Sequence, residues 1–341
     1  MRAAVTPAAK TPIETRTVPD PAQGDGEVLV SVRATSVNRL DRAVWLGVAM
    51  GGIDRFPLIQ GIDAAGVVVT GSDAVPEGTR VVVKPAVTCG TCRWCASGRE
   101  ANCPNQQMHG IHRQGGFADL IAVPEGNAVP LRDELSFIEG TAAAHSHAVV
   151  MRMIRAAGDL PPDPVVLVTG ATGSLGSAAL QICSALGIRT IGVASSEEKR
   201  EVATSLGASH VGPSQGFADQ VRAVTDGAGA DLVLDTTGHP EVIAEGLGAT
   251  ARGGRVALVG ATPGSRVDLD VLGLYRNRQA VLGSSGSHVS DFVDVFDLLA
   301  DHGLSPLISA TYGLDEAAAA MDAVGDRDRI GKVVIEMGSR T

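Results

Sequence analysis

Apolar and polar positions follow two different styles along the chain. Over the first 130 residues, short apolar runs of strand length, EVLVSVRA (27–34), AAGVVVT (64–70) and TRVVVKP (79–85), are separated by Gly, Pro and Asp turn signals. That stretch predicts a β-rich region. From residue 131 onward, VVLVTG (165–170), RTIGVAS (189–195), ADLVLDT (230–236) and GRVALVG (254–260) alternate with helix-length segments, among them 174–187 and 197–207. Strands apolar on both faces and separated by helices predict a parallel, doubly wound sheet covered on both sides. Beyond residue 290 the character is mixed: 290–303 and 314–325 read as helices, and GKVVIEM (331–337) reads as a closing strand. The expected fold class is α/β, with a β-rich domain and a parallel-sheet domain.

Composition sharpens this picture in a few places. A length of 341 residues suits two domains, and 44% apolar with 19% charged residues is an ordinary globular balance. Only 3% of residues are aromatic while 42 are Gly, so the core is aliphatic and the turns are many. The net charge of −10 argues against nucleic acid or an anionic membrane as partner, since both need a Lys/Arg excess. The N-terminal MRAAVTPAAK lacks the apolar stretch of a signal peptide, and no window approaches a membrane span. A cytoplasmic address is expected, where clustered thiols more often hold a metal than form disulfides.

The first parallel strand runs into Thr169-Gly170-Ala171-Thr172-Gly173-Ser174-Leu175-Gly176, and a helical pattern begins at once. A tight glycine turn into a helix N-terminus lets backbone N–H groups approach a pyrophosphate. The pattern is A-x-G-x-x-G, and its strand–turn–helix context is what a dinucleotide loop requires. An Asp or Glu at the end of the next strand would serve the ribose of NAD. Here that strand leads into Ser195 and Ser196, with Lys199 and Arg200 one turn on, a set that favours the extra phosphate of NADP(H). Ser195 with Glu198 also reads as a helix capping box, and the two readings are compatible. Asp235-Thr236, Gly260 and Gly283-Ser284-Ser285 follow later strands and are candidates to flank the nicotinamide half.

Cys89, Cys92, Cys95 and Cys103 are spaced C-x2-C-x2-C-x7-C. Four thiolates suit a tetrahedral structural Zn2+ with no open position; an iron–sulfur cluster is the competing occupant. Cys183, within the helix after the glycine loop, reads as a buried inert thiol.

The cysteine lobe, Gly110 through Gly116-Phe117-Ala118-Asp119, the A-x-G-x-x-G loop and Gly331-Lys332-Val333-Val334 together resemble the medium-chain dehydrogenase/reductase superfamily, over nearly the whole chain. That resemblance implies a GroES-like catalytic domain, 1–130 completed by 290–341, and a Rossmann NADP-binding domain, 131–289. It also implies a small-molecule substrate and a homo-oligomer, a dimer or tetramer. In the zinc alcohol dehydrogenases of the family, a catalytic zinc is held by a Cys, by the His of a G-H-E motif and by a third ligand. Here the Cys place resembles Asn38, and G-H-E reads Gly61-Ile62-Asp63. Isoleucine cannot coordinate a metal and Asn is a poor zinc ligand. The stretch 36–66 is similar instead to the quinone oxidoreductase-like branch, which lacks catalytic zinc.

The function expected is hydride transfer from NADPH to an activated C=C bond or a quinone, where the developing enolate is delocalised and needs little polarisation. Asn38 is the candidate donor to the substrate oxygen, and Asp41 and Asp63 orient the site. His145 and His147 are candidate proton sources, wall residues or, with Asp63 and Asp41, ligands of an unusual metal set. Trp45, Met50 and Phe56 suggest an apolar substrate pocket. The alternatives are an alcohol dehydrogenase acting on an alcohol, aldehyde or ketone, and a non-catalytic NADPH-binding protein.

Overall fold

A computed structural model describes residues 1–48, 55–260 and 266–338; Met50 lies outside the described residues. The chain divides into two compact units, Met1–His145 with the residues from Ser287 onward, and Ser146–Gly286. Residues 131–145, expected with the nucleotide-binding domain, belong to the first unit. Packing explains this. Leu131 and Leu135 are buried, Ala142 packs with Ala34 and Val334, and Arg80 lies 4.6 Å over the Phe137 ring. Residues 287–289 join the first unit too, because the Glu100 carboxylate accepts from the Val289 N–H (3.0 Å) and meets His288 Nδ1 (2.7 Å).

The first unit is built on a seven-stranded sheet around the long strand Glu27–Val37. That strand pairs antiparallel with Ala65–Thr70, Leu120–Pro124 and Lys332–Glu336. Val28, Val30 and Val32 pack with Phe117, Ile121, Val333 and Ile335 in an aliphatic core. The closing strand sets Val333 against Val37 and Val334 against Ser36, so Lys332 arrives beside Asn38. Register thereby joins the tail of the chain to its early segment.

In the second unit six strands are parallel, in the order His210–Gly212, Arg189–Val193, Val165–Thr169, Ala230–Asp235, Thr250–Leu258 and Ala280–Gly283. Val166, Leu167 and Val168 are fully buried, as a sheet covered on both faces demands. The strand order reverses between Val165–Thr169 and Ala230–Asp235, the switch point at which open α/β sheets bind ligands.

Candidate functional site

The cysteine lobe is a short turn of helix, Arg93–Ala96, flanked by left-handed turns at Gly90 (φ 72°) and Gly98 (φ 69°). It brings Cys92 and Cys95 Sγ to 3.5 Å, Cys89 and Cys103 to 3.5 Å, and Cys89 and Cys95 to 4.0 Å. All four sulfurs lie within 4.8 Å of one another. Zinc at about 2.3 Å from each of four sulfurs requires edges of about 3.8 Å, so this donor set fits the ion. The N–H groups of Thr91 and Cys92 already pull the Cys89 thiol down to about 5, toward the thiolate that a metal needs. Cys183 is fully buried, and burial pushes its thiol up to about 12.

In the same unit, a buried polar cluster forms where the strand Glu27–Val37 ends. Asp63 Oδ2 accepts from Ser36 Oγ at 2.7 Å, Asn38 Nδ2 at 2.8 Å and Lys332 Nζ at 3.2 Å. Lys332 Nζ also donates to Asn38 Oδ1 at 2.5 Å. Asp63 and Lys332 are 0% and 1% exposed, whereas Asn38 is only half-buried. Asp63 Oδ1, Thr141 Oγ1 and His145 Nδ1 are buried without a hydrogen-bond partner among the described residues. Ser36 Oγ links this region to the Thr141 carbonyl at 3.1 Å, and Thr141 and His145 stand one turn apart on the helix Phe137–Ala157.

Asp41 plays a different part. It is wholly buried and accepts the backbone N–H groups of Asn38 (2.8 Å), Gly61 (3.2 Å) and Ile62 (3.1 Å). Burial raises its pKa to about 6 against the opposing Asn38 hydrogen bond. Its carboxylate therefore orients the two segments that carry Asn38 and Asp63. Ile62 is 1% exposed in an apolar cluster with Val44, Leu58, Ala86, Met108 and Ile111, onto which Phe56 packs. Trp45 Nε1 donates to the Thr11 carbonyl at 2.8 Å. A catalytic zinc does not fit these residues. The amide of Asn38 is committed to Lys332 and Asp63, Ile62 offers no donor, and the Lys332 ammonium already neutralises Asp63.

The two histidines separate. Burial holds His145 below the usual imidazole range, with Asp63 opposing, so its ring is neutral near pH 7. His147 belongs to the second unit and is buried; its ring nitrogens meet Ser146 Oγ (3.2 Å) and Gln181 Oε1 (3.1 Å). With both nitrogens engaged, His147 favours the wall role among the alternatives weighed for it.

The nucleotide loop of the second unit is defined by close backbone approaches. Gly170 takes the left-handed turn (φ 64°), so Ala171 needs no special conformation; it is buried and donates its N–H to the Val193 carbonyl at 3.0 Å. Gly176 sits so near Gly170 that an added Cβ would lie 2.1 Å from the Gly170 oxygen. Gly173 is the N-cap of Ser174–Ala185 and supplies no side-chain cap, leaving the helix start open toward a ligand. Asp235, a candidate to flank the nicotinamide half, is a buried brace. It accepts from Thr169 Oγ1 (2.6 Å), Thr237 Oγ1 (2.8 Å) and Gly238 N–H (2.8 Å), tying the two switch-point strands together. Thr236 Oγ1 donates to the Thr169 carbonyl at 2.7 Å. Gly260 closes on Thr236–Gly238, Ser284 is nearly buried, and Ser285 is exposed.

Ser195 and Ser196 are exposed at the end of Arg189–Val193, and Ser196 Oγ caps the helix Glu197–Ser205 by accepting from the Lys199 N–H at 3.3 Å. Lys199 is 7% exposed, and Arg200 is held by Glu197 at 2.5 Å. The two cations are thus less available than the chain pattern suggests. Lys332 enters the sequence reading only within the closing Gly331-Lys332-Val333-Val334 motif, with no place in the polar cluster that it joins. Its signal was a lone cation entering an otherwise apolar strand, Lys332-Val333-Val334-Ile335.

The comparisons with known proteins agree with this construction. The family described as "Alcohol dehydrogenase GroES-like domain" matches residues 24–133, and "Zinc-binding dehydrogenase" matches residues 174–301. The D-arabinose 1-dehydrogenase (NADP(+)) of Saccharolobus solfataricus is 32% identical over 305 residues, 87% of this chain and 86% of its own. The acryloyl-coenzyme A reductase of Sulfurisphaera tokodaii is 27% identical, over 98% and 100% of the two chains. A crystal structure of an NAD-dependent alcohol dehydrogenase superposes with a TM-score of 0.93 at 33% identity, covering 99% of this chain and 100% of that one. A GroES-like unit with a thiol lobe and a doubly wound unit with a glycine loop define an oxidoreductase of the dehydrogenase/reductase class. The chain belongs to the zinc-containing medium-chain dehydrogenase/reductase superfamily. No helix among the described residues is long and apolar enough to cross a membrane.

Proposed function

We propose that the protein reduces activated C=C bonds or quinones with NADPH, carries one structural zinc on Cys89, Cys92, Cys95 and Cys103, and uses no catalytic zinc. The observation that carries this reading is the closed triangle of Asn38, Asp63 and Lys332, with Ile62 packed among apolar side chains beside it. Both positions that would ligate a catalytic metal are spent on other work.

When bound, the nicotinamide dinucleotide supplies the hydride. The chain's own residues bind, orient and hold protons. Gly170, Gly173 and Gly176 let the loop backbone approach a pyrophosphate, and Thr169 and Thr236 brace that loop. Ser195 and Ser196 offer hydroxyls to an adenosine phosphate, and Lys199 and Arg200 lie within the next turn. In the first unit, Asn38 presents an amide N–H to the carbonyl oxygen of an enone, enal or quinone. That oxygen gains charge as the β-carbon is reduced, and a donor fixed beforehand stabilises it most. His145, neutral and with an unpartnered Nδ1, is a further hydrogen-bond partner for substrate or water. The carbon proton then comes from water. A reductase named for an acryloyl thioester among the relatives supports this reaction type.

The test is NADPH oxidation over a panel of enones, quinones and aldehydes, with metal counted on the same sample. Turnover of enones or quinones at one zinc per chain is expected. Two zincs per chain, or turnover confined to aldehydes, would overturn the reading. Zero turnover throughout would overturn it in favour of a non-catalytic NADPH-binding protein.

A further inference from the structure

We infer that Lys332 is a positioning residue that sets the Asn38 amide as a fixed hydrogen-bond donor to a carbonyl substrate. This rests on the reading that Asn38 meets the substrate oxygen. An Asn side chain has two orientations related by a flip, and neighbours decide between them. An ammonium can only donate and a carboxylate can only accept. Lys332 Nζ at 2.5 Å therefore demands Oδ1, and Asp63 Oδ2 at 2.8 Å demands Nδ2. The flipped amide would set its NH2 against the ammonium and its oxygen against the carboxylate, losing both bonds.

The amide nitrogen carries two protons, and one goes to Asp63. The second N–H has no partner among the described residues, and Asn38 is the most exposed member of the triangle. Lys332 thus acts from behind. Its hydrogen bond to Oδ1 draws electron density through the amide and strengthens the remaining N–H as a donor. A plain Lys332–Asp63 ion pair would need no third member, whereas here Asn38 bridges both partners.

The same arrangement restricts the ligand. Asp63 cancels the Lys332 charge at 3.2 Å, so the cluster offers one directed neutral donor and no net positive field. That suits an uncharged carbonyl which becomes enolate-like during reaction, and it gives a free carboxylate nothing to pair with. The substrate class is a conjugated carbonyl or quinone with no acid group at the reacting end.

The test uses the full-length protein with NADP+, which cannot reduce the ligand, and a bound enone whose carbonyl stretch is read by infrared difference spectroscopy. The variants are Asn38→Leu and the paired Lys332→Met/Asp63→Asn, which leaves no buried charge alone. The wild type should lower the carbonyl frequency. Asn38→Leu should abolish that shift and lower kcat about 10²-fold with KM nearly unchanged, as for loss of one oxyanion donor. The folded paired variant should lose most of the shift and roughly 10-fold in kcat, as when an outer partner of a ligating group is removed. If it does not fold, Lys332→Gln, which keeps a donor but can itself flip, is read in its place with the same expectation. A retained shift and kcat in the folded Lys332 variant overturns the role of Lys332; a retained shift in Asn38→Leu overturns the donor. The infrared shift needs no turnover, so an enzyme that binds the enone but reduces another substrate would fail the functional reading while still deciding this one.

Discussion

Gly176→Ala probes the nucleotide loop through its tightest contact. The new Cβ would lie 2.1 Å from the Gly170 carbonyl oxygen and 2.8 Å from Ala171 Cα. Carbon–oxygen contacts settle near about 3.4 Å, so roughly 1.3 Å of space must open. Both obstructing atoms are backbone and cannot rotate away. Gly170 is pinned by its left-handed φ of 64° and by Thr236 and Thr237 beside it, so the start of the helix Ser174–Ala185 must move instead. A displacement near 1 Å at a binding constellation costs about 10²-fold. We expect the NADPH Kd to rise about 100-fold, equivalent to about 2.7 kcal/mol, in a fluorescence titration. Gly248→Ala is the matched control: it lies in the helix Pro240–Ala249 with no atom within 4 Å of a Cβ. It should leave affinity unchanged and raise stability by up to about 1 kcal/mol. A folded Gly176→Ala protein that binds NADPH within threefold of wild type would refute the phosphate-loop reading.

Three further outcomes are expected. Chelation should release one zinc per chain and expose four thiols to a thiol reagent, with Cys183 protected until unfolding; a fifth thiol reacting in the native state contradicts its burial. Lys199→Ala should weaken NADPH about 10-fold and leave NADH nearly unchanged, as for loss of a charge-assisted phosphate bond, while Glu197→Gln, by releasing Arg200, should tighten NADPH; equal effects on both nucleotides remove the phosphate pocket from this turn. The Asp41 pKa rises from 3.8 to about 6 on folding, so the folded state takes up a proton between those values. Its contribution to stability is greatest below pH 4 and declines through pH 6, by about 3 kcal/mol in full. Urea unfolding of wild type and Asp41→Asn should show a difference that shrinks by that amount as pH rises; a flat difference refutes the buried-carboxylate account.

The parallel sheet was legible because its strands are apolar on both faces: Val166-Leu167-Val168 cannot stand at a wet surface, and their spacing by helices calls for parallel crossovers. The thiol lobe was legible because spacing alone nearly determines a tetrahedral set. Other features lay beyond any local pattern. Lys332 and Asn38 are 294 residues apart and meet only through the register of one strand pair. Asp235 reads in the sequence as a residue flanking the nicotinamide half, and its bonds to Thr169 and the Gly238 N–H, which tie two strands together, leave no trace in the local pattern. Arg200 reads as a phosphate ligand from its place in the chain, and its ion pair with Glu197, three residues earlier, lies outside that reading. The residues 131–145 changed units because their apolar side chains find partners in Ala34 and Val334, a choice no composition shift announces.

The closing strand also orders events in time. Asn38 and Asp63 leave the ribosome early, but Lys332 follows Asn38 by 294 residues, and synthesis at about 5–20 residues per second makes that interval roughly 15–60 s. Until then Asp63 lacks the cation it has in the folded chain, and the central strand Glu27–Val37 lacks the partner that Lys332–Glu336 supplies at its edge. An intervening unit with its own parallel sheet can fold during the wait. The parallel sheet of the second unit can therefore be complete while the first unit still lacks the five-residue strand that brings Lys332 to Asn38 and Asp63.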